Sequence, residues 1–74
     1  MITEFLLVVF ICSVVEKGCD KEIIYPKPFK THKECVIRGY LDSAKVINSF
    51  ETDFVNNKKI YTNFNCIEKE ARDA

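Results

Sequence analysis

The stretch Phe5-Leu-Leu-Val-Val-Phe-Ile-Cys-Ser-Val-Val15 decides how the rest of the chain is read, because its 11 residues carry no charge. It is too short to span a bilayer as a helix, which takes about 20 apolar residues. Its length suits the apolar segment of a secretory signal peptide, typically about 7–15 residues. The flanks fit less closely. Glu4 precedes the run with no Lys or Arg, so the positive start rests on the α-amino group alone. No small-x-small cleavage site stands out: a cut after Gly18 leaves the charged Glu16 two residues upstream, and a cut after Ser13 leaves Ile11 there. On these criteria residues 1–18 are read as a signal peptide with an open cleavage site, and the product as secreted and extracellular. The alternative is a buried strand or helix of a cytosolic domain, which needs an apolar cover that the downstream sequence does not display. The Gly18-Cys19 junction also has the form of a bacterial lipoprotein signal, but Glu16-Lys17 stand where that signal has small or aliphatic residues.

Working outward, the whole chain has 74 residues and no net charge, which allows one domain at most. Removing the leader leaves 56 residues with 10 Lys/Arg and 9 Asp/Glu, well mixed. A nearly neutral body offers no electrostatic footprint for nucleic acid, nor for a membrane once the leader is gone. So small a body buries only about 60% of the surface its chain exposes and is marginal without a staple.

Residues 19–28 read as an extended arm, since Pro26 and Pro28 each push the preceding residue away from helix. Residues 29–74 read as a three-helix body. Thr31-His-Lys-Glu34 matches a capping box, with Pro28 as an alternative first-turn residue, and Gly39 suits the stop of a first helix near Arg38. Asp42 or Ser43 caps a second helix whose stripe is Tyr40, Ala44, Ile47, Phe50 and Phe54. A third starts near Asn56 or Asn57 with the stripe Ile60, Phe64, Ile67 and Ala71, fraying where Glu68, Glu70 and Asp73 oppose the helix dipole. The expected fold is all-α: a small disulfide-stapled bundle of about three helices after a signal peptide.

With Cys12 leaving in the leader, Cys19, Cys35 and Cys66 permit three single bridges, and the unpaired one is open to an intermolecular bond. His32 and Cys35 share a helical face, but no Cys-x2-Cys or second His completes a zinc site, and no cofactor is expected. Glu51 and Asp53 read as solvated, and with one His and no nucleophile–base pair the chain is not read as an enzyme. The aromatic-rich set on the predicted helices has an ordinary role as the protein's own core.

The order of elements resembles the front half of the insect odorant-binding protein family. The resemblance rests on His32-Lys-Glu-Cys35-Val-Ile-Arg-Gly-Tyr-Leu-Asp, Ser-Phe50-Glu-Thr-Asp-Phe54 and Lys-Lys-Ile60-Tyr-Thr-Asn-Phe-Asn-Cys66-Ile-Glu-Lys, about residues 29–70. Cys35 matches the family's first cysteine and Cys66 its third, with Thr62 where the second would stand, as in the subgroup lacking the second and fifth. The resemblance implies a Cys35–Cys66 disulfide. It also implies a small hydrophobic ligand, such as an odorant or pheromone, bound by Tyr40, Ile47, Phe50, Phe54, Ile60, Phe64 and Ile67. Family members have about six helices and roughly twice this length, so a single copy of this chain cannot complete their pocket. A truncated body would expose its apolar surface, and a homodimer through that surface or through Cys19 is the corresponding expectation. The alternative is a short secreted disulfide peptide, such as a venom or salivary component, that acts on a protein target.

Overall fold

In the computed structural model, which describes residues 2–71, the elements run β1 (Ile2–Ser13), β2 (Gly18–Ile24), α1 (His32–Ser49), α2 (Thr52–Lys58) and β3 (Ile60–Ala71). The strands form one antiparallel sheet in the order β2-β1-β3, so β1 lies at its centre. This overturns the all-α bundle. Residues 5–13 of the uncharged run lie in that central strand, and Leu7, Val8 and Val9 are successive and all buried, so both faces of the sheet are covered there. Its β-branched and aromatic residues favour a pleated backbone.

Pairing shows what a cut after Gly18 would do. β3 matches β1 from Ile2↔Ala71 to Ser13↔Ile60, and β2 matches it from Val8↔Ile24 to Ser13↔Gly18, with a bulge beside Cys12. Without residues 1–18, β2 and β3 lose the strand that joins them. β2 also occupies most of the predicted extended arm. Beyond it the arch Tyr25-Pro-Lys-Pro-Phe29 continues along the same edge of β1. The Tyr25 N–H donates to Leu7 O at 3.0 Å, and Phe5 and Phe29 exchange both backbone hydrogen bonds at 2.9 and 2.8 Å.

The helices differ from expectation in a way one residue explains. Thr31 caps α1 as its pairing with Glu34 predicts, its Oγ1 accepting from the Glu34 N–H at 3.1 Å. The helix then continues through Gly39 for 18 residues, merging the first two predicted helices. Gly39 belongs to the buried row Cys35, Gly39 and Ser43, and the Phe64 ring fills the space where its Cβ would be. The glycine is therefore a notch for a strand residue rather than a stop.

The predicted third helix is β3. Lys59, at φ 52°, takes the left-handed conformation that ends α2 and turns the chain into the strand. Ile60, Thr62, Phe64 and Cys66 then share one face by period-two alternation. That face meets α1, and Leu7, Val9 and Cys35 form the core there, flanked by Phe5, Tyr25, Phe29, Phe64 and Cys66. The acidic end at Asp73 lies outside the described residues.

All four cysteines are bonded: Cys12 to Cys19 across β1 and β2, and Cys35 to Cys66 between α1 and β3. The second pair is the one the resemblance implies, held here by a helix and a strand. Cys19, left over in the sequence, is engaged by the residue that the leader reading would have discarded.

Candidate functional site

The arch and α1 border a groove on the surface. Pro26 and Pro28 fix their own φ angles, which limits how the arch can move. Its two ends are pinned to β1 by the Tyr25 and Phe29 backbone bonds. From this arch the Tyr25 hydroxyl donates to Asp42 Oδ2 on α1, and Arg38 one turn earlier pairs with Asp42 Oδ1 at 3.8 Å. Burial, the hydrogen bond to Asp42 and the negative charge of that carboxylate together push the Tyr25 phenol up to about 12, with Arg38 opposing them. Tyr25 therefore stays a neutral donor throughout the physiological range.

Around this cluster lies a broad, shallow groove. One part, of about 480 Å³, runs between the arch residues and Arg38 and Asp42. The adjoining part, of about 370 Å³, shares Phe29 and Arg38 and extends along α1 past Glu34, Ile37 and Leu41. Ile37 and Leu41 are one helical turn apart and are 49% and 54% exposed. Half-exposed aliphatic side chains thus stand beside a fixed polar cluster, an arrangement of apolar groups and an oriented charge. Arg38 keeps half its side chain in solvent and Lys27 is exposed, so the accessible charge at the arch end is basic.

The seven residues of the expected hydrophobic-ligand set are not gathered into one site. Phe50, Phe54 and Ile60 line a cavity of about 180 Å³ at the far end of the sheet, together with Ile11, Ser13 and Lys58. Phe50 and Phe54 pack ring to ring at 5.5 Å there. Ile47 meets Phe50 at a separate depression of about 200 Å³. Phe64 packs into the Gly39 notch with Tyr40 edge-on at 4.9 Å, and Tyr40 is itself 68% exposed. Ile67 lies on the other face of the sheet from Cys66 and α1, opposite Leu6. The helical stripe that linked Ile60, Phe64 and Ile67 does not exist in a strand, where Ile67 changes sides.

His32 packs edge-on against Phe5 with ring centroids 5.6 Å apart, and no cluster of three metal-ligating side chains occurs among the described residues. In the sequence Pro26 and Pro28 signal only an extended arm, which does not show that they form one wall of a groove. The pair Ile37 and Leu41, at i and i+4 outside the predicted core stripe, was the available signal. No helix among the described residues is long and apolar enough to cross a membrane. Compared with known proteins, the chain matches no family model, no curated protein and no solved structure.

Proposed function

We propose that this chain is a small secreted, disulfide-stapled module that recognises a partner protein through the groove between the arch and α1. The observation that carries the reading is the display of Ile37 and Leu41 beside the Tyr25–Asp42–Arg38 cluster, with Phe29 as the shared floor. The partner segment this surface fits has one or two large apolar side chains followed by an acidic residue, which meets Arg38 and Lys27. Two disulfides in a chain of this length belong to an oxidising compartment, where such bonds form and persist. In this reading β1 is part of the working protein, because both other strands depend on it. Carriage of a small hydrophobic ligand is less favoured. The apolar cavity holding Phe50, Phe54 and Ile60 is about 180 Å³, against the ~300 Å³ or more that ligand pockets usually need.

Selection of a displayed peptide library on the oxidised protein tests the reading. Enriched peptides are expected to share an apolar anchor and a nearby Asp or Glu, and to lose about tenfold or more in affinity on Leu41→Glu. Leu41 is exposed enough for that variant to fold. Absence of enrichment, or binding that ignores both Leu41→Glu and Ile37→Glu, overturns the groove. Micromolar binding of a fluorescent apolar probe, lost on Phe54→Asp, would replace it with the carrier reading.

A further inference from the structure

The two edges of the sheet are unlike. The β2 edge is short, and the arch that prolongs it carries Pro26, Lys27 and Pro28, the usual devices against pairing with another strand. The β3 edge is 12 residues long, contains no proline, and has its only lysine at Lys69. Along it the Phe64 N–H donates to the side-chain oxygen of its own neighbour, Asn63 Oδ1, at 3.1 Å. An incoming strand would displace that same-strand contact with a backbone carbonyl.

We propose that β3 pairs antiparallel with β3 of a second copy about a two-fold axis at Asn65, giving a continuous six-stranded sheet. Charge excludes the registers centred near the C-terminal end of β3. Centred on Asn65, that residue lies opposite itself, Tyr61 lies opposite Lys69, and Thr62 lies opposite Glu68, so no carboxylate meets another. Centred on Glu68, that carboxylate meets itself; centred on Lys69, the lysine meets itself and Glu68 meets Glu70. The neighbouring register at Cys66 avoids repulsion but sets Phe64 against Glu68, whereas the Asn65 register sets Phe64 against Cys66. Both registers pair 11 of the 12 residues on each strand.

The second layer fits the same axis. α1 packs on both β1 and β3. With strands about 4.8 Å apart, a helix above the β1–β3 boundary lies about 5 Å from the axis, so the two copies of α1 lie about 10 Å apart. Packed helices sit about 8–10 Å apart. Tyr40, which is exposed and leans on Phe64 of β3, is on the flank of α1 that enters this seam. An edge about 36 Å long, with a depth of 16–20 Å taken from the two shorter extents of the molecule, covers on the order of 600–700 Å² per copy. That reaches the lower end of stable interfaces, about 1,200 Å² over both partners. The dimer leaves the arch groove on the opposite side of each sheet, so it stands or falls independently of the proposed function.

Sedimentation velocity of the oxidised full chain, from micromolar to millimolar concentration, tests the proposal together with amide exchange over residues 60–71. The expected result is a monomer–dimer equilibrium in which the β3 amides gain protection as concentration rises. Asn65→Lys places two like charges opposite each other at an exposed position, and should weaken the dimer by about tenfold or more. Asn65→Asp repeats the test with the other sign, and Glu22→Lys on β2 should have no effect. A monomer throughout this range overturns the proposal. So does a dimer unaffected by both Asn65 variants in proteins whose circular dichroism is unchanged.

Discussion

Replacing Gly39 by alanine sets two effects of known size against each other. In an exposed helix interior the change stabilises by about 0.8–1.0 kcal/mol, because glycine loses more backbone freedom on folding. Here a Cβ at that position falls 2.8 Å from Phe64 Cγ and closer still to Cδ2 and Cε2. Ordinary contact needs about 3.4–4 Å, so the ring must retreat by roughly 1 Å. Its escape is blocked on several sides. Tyr40 meets its edge at 4.9 Å, Val9 lies opposite on β1, and the Cys35–Cys66 bond one turn away ties α1 to β3. Overpacking of this kind costs about 1–3 kcal/mol, and the tether places the site at the upper end. The net expectation is a loss of about 1–2 kcal/mol, seen as a fall of roughly 4–16 °C in melting temperature. Thermal unfolding by circular dichroism, with the disulfides intact, measures it. The partner variant Phe64→Leu, with a smaller side chain, should recover much of the loss in the double mutant, giving a coupling energy above about 0.5 kcal/mol. A Gly39→Ala protein more stable than the parent, with no coupling to position 64, would refute the packing of Phe64 into the notch.

Three further outcomes follow from the geometry. Converting Cys35 and Cys66 together to alanine opens a link between residues 31 apart and should cost about 3–4 kcal/mol, a large share of the ~4–11 kcal/mol available to a chain this size; denaturant titration of both proteins reads it. The Tyr25 phenol is raised in the fold, so its contribution is complete below the unfolded value near 10 and is lost as pH rises through about 12. Stability measured across that window should therefore decline, and Tyr25→Phe should remove this part of the decline while lowering stability at neutral pH. Ser43 is buried on α1 and its hydroxyl has no partner among the described residues. Ser43→Ala should raise stability by about 1 kcal/mol, and a loss would show that the hydroxyl is satisfied in solution.

Local signals carried far in this sequence, and pairing signals did not. The Thr31–Glu34 cap is set by residues within one turn, and α1 keeps it; Tyr40, Ala44 and Ile47 fall within α1 but off its buried row, which is Cys35, Gly39 and Ser43. Gly39 misled because a glycine inside a helix and one at its end look alike until the neighbouring ring is known. Residues 60–71 satisfy two periods at once. Ile60, Phe64 and Ile67 fit a helical stripe, while Ile60, Thr62, Phe64 and Cys66 fit strict alternation, and only the presence of β1 beside them decides. The enrichment of Ile, Tyr, Thr and Phe there was the overlooked evidence for a strand. The opening apolar run has the same ambiguity, since a central strand and the apolar part of a leader share one composition. The groove was illegible for a related reason: its wall depends on Phe29 finding Phe5, 24 residues back in the chain.

The placement of β1 also governs the order in which the molecule assembles. Ile2 pairs with Ala71, so the longest ladder joins the earliest part of the described chain to the latest. As the polypeptide emerges during synthesis, β1 and β2 meet first as a local hairpin that Cys12 and Cys19 can lock. The other edge of β1 then waits, unpaired and strongly apolar, until β3 is made. Closing so long a loop adds little to its entropic cost at equilibrium but slows its formation. During that interval nascent β1 presents an unpaired apolar edge of the kind that aggregates, and early oxidation of Cys12 and Cys19 shields only one of its two edges.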